Sequence, residues 1–302
     1  MTAIKKFDVI IIGGSYAGLS AAMALGRSLR TVLIIDSGLP CNRQTPHSHN
    51  FITQDGEKPA VIAAKAKEQV LKYDTVQFLD SLAVKGKKNE NDFVITTQSG
   101  EEFTAKKLII ATGIKDIMPD IKGFSACWGI TVVHCPYCHG YELRDQKTGI
   151  LANGMKALHL ASLVNNLTKD ITIFTGGEAK FTPQELEKLT ENDIKIVESN
   201  ITELQHENGQ VRSVVLADGL QLKFDALYAA VPFTQHSDIP DSLGCNLTEQ
   251  GYISIDNFHK TTVKGVFACG DNSGMMRSVV NAIYGGNFAG AMVNMELTEE
   301  QF

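Results

Sequence analysis

The chain has 302 residues, 43% of them hydrophobic and 7% aromatic, with a formal net charge of −6 and an isoelectric point near 5.8. That composition can bury a large core, and the length suggests about two domains. The acidic balance supplies no basic stripe to neutralise phosphates, so nucleic acid is not an expected partner. No apolar run reaches the roughly twenty residues a membrane helix needs.

The N-terminal stretch, with two lysines, an apolar run and Ala22 to Ala24 as an Ala-x-Ala, imitates a secretory signal. Asp8 interrupts that run and the glycine turn at Gly13–Gly18 would break it. The better reading is strand, turn, helix and second strand, the last being Thr31 to Asp36. A cytoplasmic location follows as an expectation, and there six cysteines are not a disulfide scaffold. The β-branched run ending at Ile12 reads as a strand buried on both faces. It enters Gly13-Gly14-Ser15-Tyr16-Ala17-Gly18, a G-x-G-x-x-G dinucleotide fingerprint with Ser15 in the middle position. Asp36 ends the second strand, where a carboxylate can accept both ribose hydroxyls. A tight strand-to-helix turn without ligand is the plainer alternative.

From Thr75 to Phe103, short alternating runs predict an antiparallel meander, with the charged run Lys85 to Asp92 as a solvated hairpin tip. Another buried strand ends at Ala111-Thr112-Gly113. The segment His134 to Glu142 reads HCPYCHGYE, and a C-x-x-C followed by histidine admits three readings: a haem attachment site, part of a zinc site, or a redox-active pair. Residues 149–161 repeat the strand-turn-helix pattern in degraded form, keeping Gly154 between Ala152 and Ala157, and the following strand ends at Thr175-Gly176-Gly177. Near the C-terminus a strand ends in Gly270-Asp271, and a long helical stretch is predicted from Met275. Cys41, Cys127, Cys245 and Cys269 are isolated and read as small buried hydrophobes. His47 and His49 have the spacing of metal ligands on a strand, yet no metal site is expected.

The glycine start, the Ala-Thr-Gly strand and the late Gly-Asp before a helix together resemble the low-molecular-weight thioredoxin reductases over the whole chain. The resemblance implies an α/β fold of two Rossmann-like domains. The FAD-binding domain is split into 1–115 and 245–302, with an inserted NAD(P)-binding-like domain at 116–244. It implies FAD on Gly13, Gly14, Ser15, Gly18, Asp36, Asn50, Ala111, Thr112, Gly113, Gly270, Asp271, Arg277 and Ser278. The TPHSHN segment becomes a flavin-proximal loop with His49 and Asn50 as FAD neighbours, a solvated loop being the alternative.

Within that resemblance the redox reading explains the Cys135–Cys138 pair and its position together. Cys138 is expected to face the flavin and Cys135 to exchange with substrate, while a helix N-terminus lowers a thiol pKa. Ordinary bacterial members carry aspartate after the second cysteine, and this chain carries His139. That variant is similar to the branch of gliotoxin-type dithiol oxidases, in which a histidine with an ordinary pKa of about 6.5 can act as base toward an incoming thiol. The end of the Thr175–Gly177 strand lacks the basic cluster for an NADPH 2′-phosphate and also the acid of an NAD site. NAD(P)H is therefore an open cofactor. The expected function is FAD-dependent thiol-disulfide exchange with a small dithiol or disulfide, in a homodimer. An NADPH-dependent reductase of a thioredoxin-like protein and a redox sensor without turnover are the alternatives.

Overall fold

The computed structural model describes residues 5–302. The chain packs into two compact units, one built from the segment up to Arg43 with Pro59–Lys115 and Phe233–Phe302, the other from Gln44–Lys58 and Asp116–Pro232.

In chain order the first unit begins with β1 (Lys5–Ile12), α1 (Tyr16–Arg27), β2 (Val32–Asp36), α2 (Pro59–Val70), β3 (Val76–Asp80), β4 (Ala83–Lys88), β5 (Phe93–Thr97), β6 (Glu102–Ile110) and the short β7 (Ile114–Asp116). The second unit holds α3 (Phe124–Cys127), β8 (Val132–Val133), α4 (Pro136–His139), β9 (Thr148–Leu151), α5 (Gly154–Val164), β10 (Ile171–Phe174), α6 (Pro183–Glu191) and β11 (Lys195–Val197). It closes with β12 (Ile201–Glu207), β13 (Gln210–Leu216), β14 (Gln221–Lys223) and β15 (Ala226–Ala229), and the chain returns to the first unit through β16 (Phe233–Gln235), α7 (Ile239–Ser242), β17 (Val266–Ala268) and α8 (Val279–Gln301).

In the first unit β3, β2, β1 and β6 form a parallel sheet. The long β6 pairs through its C-terminal half with β17 and through its N-terminal half with the antiparallel β5. Val9, Ile10 and Ile11 of β1 are fully buried, as a central parallel strand requires. Trimming Ile10 or Ile11 to alanine would cost roughly 2–5 kcal/mol. In the second unit the parallel order is β11-β10-β9-β15-β8, beside a separate antiparallel ribbon of β12, β13 and β14. Both are the α/β layer pattern in which helices cover a parallel sheet. Among the described residues no helix is long and apolar enough to cross a membrane.

Three expectations need correction. The meander is confined to β4, β5 and β6, because β3 pairs in parallel with β2 and extends the main sheet. Residues 233–244, expected in the inserted domain, pack with the first unit, where Ile239 is buried in the same cluster as Ala83, Phe93 and Cys245. The last helix starts at Val279 rather than Met275, since Ser278 caps it by accepting the Asn281 N–H at 3.2 Å.

Candidate active site

One candidate site is the β1-to-α1 turn of the first unit. Gly13 has φ of +104°, and a Cβ there would overlap the Ala111 carbonyl oxygen; one on Gly18 would overlap the Gly13 carbonyl oxygen. Gly13 is required by backbone conformation and close approach, Gly18 by close approach alone. Ser15 occupies the N-cap of the twelve-residue α1 and makes no side-chain capping bond. The first-turn N–H groups and the helix dipole therefore lack a capping side chain, which is the arrangement that receives phosphate. Asp36 accepts the Gly14 N–H at 2.8 Å on one carboxylate oxygen and the Gly38 N–H at 3.2 Å on the other. A cavity of about 360 Å³ lies along this turn, lined among others by Gly14, Ser15, Asp36, Ala111 and Thr112.

Sequence reasoning missed three of its walls. The Lys67 ammonium sits 3.3 Å over the Phe78 ring, and both residues line the cavity together with His236. His236 comes from the connector that had been expected in the other domain. Burial pushes its imidazole below the ordinary value, reinforced by Lys115 and Arg43. Nothing in sequence links these residues to Asp36, because only the sheet order brings them to one edge.

Asn272 was also missed, although it follows the Gly-Asp pair directly. Fully buried, it donates through Nδ2 to the Ile110 carbonyl at 2.9 Å and approaches Thr112 Oγ1 at 3.5 Å. Its Oδ1 is buried without a hydrogen-bond partner. It thereby ties the end of β6 to the Gly270–Asp271 turn. Arg277 Nε lies 3.8 Å from the Asp271 carboxylate, and Ser278 is the α8 cap. Cys41 is exposed, contrary to expectation, with its sulfur 3.9 Å from Asp271 Oδ2. A cradle that only glycine can line, a helix start with no side-chain cap, a ribose-competent carboxylate and an unsatisfied buried amide oxygen fit FAD. Gly13 to Gly18 would hold the pyrophosphate, Asp36 a ribose, and Asp271 the ribityl-pyrophosphate portion.

A second candidate site lies in the other unit. β8 runs through His134 into Cys135, which is the N-cap of α4, and Pro136 opens that helix with its fixed φ. One turn on, Cys138 Sγ stands 2.7 Å from Cys135 Sγ, and both residues are half-buried. The His134 ring stacks on Trp128 with centroids 6.0 Å apart. His139 has both ring nitrogens shielded from solvent, with the Cys135 backbone beside the ring. Burial pushes its imidazole below the ordinary value; Glu142 acts in the opposite sense, and His49 adds to the depression. His49 belongs to this unit, with Nδ1 3.6 Å from Glu142 and 3.7 Å from Asp55. Asn50 lies there too, in left-handed conformation at φ +58°, its N–H donated to Asp55 at 2.7 Å. The TPHSHN segment thus belongs to the cysteine-bearing unit.

The degraded second fingerprint is a β9-to-α5 turn, and it is closed on itself. Asn153 Oδ1 accepts the N–H groups of Gly154 and Lys180, each at 2.8 Å. Its Nδ2 donates to the carbonyls of Glu178 at 2.9 Å and Thr175 at 3.4 Å. Thr175 Oγ1 in turn donates to the Gly177 carbonyl at 2.6 Å. The donor that would meet a pyrophosphate is taken by the protein's own amide, and the loop after β10 is stapled to the start of α5. Lys180 is exposed and has its backbone against this turn, a cation that sequence reasoning overlooked.

Comparison with known proteins gives the family. The profile of the pyridine nucleotide-disulphide oxidoreductase family matches residues 7–286. A thioredoxin reductase of Claviceps purpurea (strain 20.1), tcpT, is 33% identical over 98% of this chain and 96% of that protein. A solved oxidoreductase from Agrobacterium tumefaciens is 36% identical with a TM-score of 0.91, covering 97% of this chain and 99% of that one. A Bacillus anthracis structure assigned as thioredoxin reductase TrxB is 30% identical with a TM-score of 0.93, covering 98% and 100%. With an FAD-shaped cradle in one unit and a C-x-x-C pair at a helix start in the other, the chain belongs to the pyridine nucleotide-disulphide oxidoreductase family, as a thioredoxin reductase-like, FAD-dependent disulfide oxidoreductase.

Proposed function

We propose that this enzyme oxidises a small dithiol to its disulfide, drawing its electrons from that substrate rather than from NADPH. The observation that carries the reading is the β9-to-α5 turn, where Asn153 occupies the Gly154 donor and Thr175 to Gly177 offer no side-chain cation for a 2′-phosphate. His139 supports it, since an imidazole held below its ordinary pKa is neutral, and so basic, at neutral pH.

In this reading a substrate thiol gives its proton to the His139 imidazole, and its sulfur attacks Cys135 Sγ of the oxidised pair. The Cys135–Cys138 bond breaks and Cys138 leaves as thiolate. The second substrate thiol, deprotonated in the same way, attacks the substrate sulfur held on Cys135. It releases the cyclic or linear disulfide and a Cys135 thiolate, so two electrons now reside on the cysteine pair. FAD, when bound, supplies the two-electron acceptor that returns the pair to disulfide and passes the electrons to dioxygen or another acceptor. The Glu142 carboxylate, which raises the His139 pKa, favours the imidazolium that forms, and the proton is then released to solvent.

Anaerobic stopped-flow mixing tests this directly. The expected result is rapid flavin bleaching by a dithiol and slow, poorly saturable bleaching by NADPH, little faster than by NADH. Fast saturation by micromolar NADPH would overturn it and favour reduction of a thioredoxin-like protein, the reading for which exposed Lys180 speaks.

A further inference from the structure

Tyr228 is the largest fully buried side chain among the described residues, 1% exposed, and its hydroxyl is shielded from solvent with no hydrogen-bond partner. A buried phenol without an acceptor costs about 1–3 kcal/mol, so a position that keeps tyrosine where phenylalanine would pack calls for a partner absent from the resting arrangement. Its place in the sheet says which. Tyr228 lies on β15 directly opposite Val133 of the parallel β8, and both belong to one apolar cluster with Leu143 and the inner face of α5. Side chains two apart on a strand share a face. Cys135 follows Val133 by two residues, where the strand gives way to the N-cap of α4.

The electrostatics agree with that placement. Burial raises the Tyr228 phenol above its ordinary value, and negative charge at Cys135 and at Glu142 raises it further. The hydroxyl is thus protonated, a donor and never a competing base, throughout the working range. Of the two acceptors, Glu142 is exposed at the surface and shared with His49, so solvent can satisfy it. A Cys135 thiolate, half-buried, has less access to water. The Cys138 thiol is 2.7 Å from Cys135 Sγ, His139 lies against the Cys135 backbone, and His49 faces Glu142.

We propose that the Tyr228 hydroxyl donates to Cys135 Sγ when that sulfur is a thiolate, and so makes the Cys135–Cys138 disulfide a stronger oxidant. The proposal rests on the redox reading of the pair but not on the identity of the electron donor. The charge to be stabilised appears when the substrate disulfide departs: the bond between Cys135 Sγ and the substrate sulfur breaks, and its electron pair stays on Cys135. A donor in place there makes Cys135 a better leaving group and lowers its pKa, and stabilising the reduced form of a dithiol raises its reduction potential.

Tyr228→Phe removes the one oxygen and leaves the packing. In FAD-loaded Cys138→Ser protein, the rate of iodoacetamide alkylation at Cys135 is followed against pH by peptide mass spectrometry, which separates it from exposed Cys41. Adding Tyr228→Phe is expected to lower the thiolate fraction roughly three- to tenfold at pH values below the midpoint, the size of one hydrogen bond, with the plateau at high pH unchanged. With both cysteines present, equilibration against glutathione should show the pair in Tyr228→Phe shifted by a similar factor toward disulfide. Unmoved alkylation midpoint and glutathione equilibrium in Tyr228→Phe would overturn the proposal, even if its unfolding midpoint changed. A wild-type pair that glutathione does not titrate at all would instead overturn the redox reading on which it rests.

Discussion

The two strand-to-helix turns at β1–α1 and β9–α5 are the same local device put to opposite ends. At the first, Ser15 makes no capping bond, so the helix start stays available to a ligand, and the carboxylate of Asp36 holds the loop from beneath. At the second, the Asn153 amide takes the Gly154 N–H and three further groups of the neighbouring loop. A glycine fingerprint thus marks a turn that can approach phosphate. Whether it does depends on who else is bonded to the helix's first N–H groups, which are obligatory donors and accept the nearest partner.

The largest effect is expected from closing the open turn. Gly18→Val drives a side chain into the Gly13 carbonyl, and the purified protein should be colourless, with denaturation releasing almost no FAD where the wild type releases about one per chain. Full yellow occupancy in that variant would remove the turn from the cofactor site. Next comes the cysteine pair: Cys138→Ser should lower dithiol oxidation by several orders of magnitude, whereas Cys135→Ser should leave a lone thiolate and a broad long-wavelength flavin band that acid abolishes. A band in Cys138→Ser alone would reverse the two roles.

His139→Gln is expected to lower kcat/KM for a dithiol by about a hundredfold and to flatten its rise with pH. Because burial holds the imidazole below its ordinary value, the wild-type rise should have its midpoint below about pH 6.5. A midpoint unmoved in the variant would leave His139 with packing alone. Opening the closed turn is gentler. Asn153→Ala should cost about 1 kcal/mol in chemical denaturation, the value of a helix cap, and speed NADPH bleaching no more than severalfold, since no 2′-phosphate cation is created. A hundredfold gain would identify the amide as the whole barrier.

The smallest expected effect is on stability against pH. Burial holds His139, His236 and His259 below their ordinary values. The unfolded chain therefore takes up protons first as pH falls. The stability that these neutral rings contribute is fully present above pH 6.5, and it is lost as pH drops from there toward their folded values. The unfolding midpoint should decline over that window, and less steeply in His139→Gln.

Strands buried on both faces announce themselves by unbroken β-branched runs, so β1, β2 and β6 were legible, as were Gly13, Gly18 and Asp36. Antiparallel and parallel pairing are not written in such runs. β3 has the same alternation as β4 and β5 yet joins the parallel sheet, because pairing is chosen by the neighbour already in place. The TPHSHN segment is similarly mute: polar and irregular, it carries no periodicity to say which unit it joins, and His49 finds Glu142 only through the fold.

By itself the sequence determined the chemistry available: a dinucleotide turn, a C-x-x-C pair with Pro136 to start its helix, and a histidine in place of the family's usual acid. Spacing within a few residues is a covalent matter, and glycine, proline and cysteine act over that range. Tertiary structure alone decided which of these groups are usable. Asn153 became a cap that shuts a turn, His236 and Phe78 became walls of the cavity beside the glycine turn, and Tyr228 was buried opposite Val133 on the strand that leads to Cys135. Those outcomes depend on partners tens to hundreds of residues away, and on the loss of water that turns an unpaired donor into a costly one.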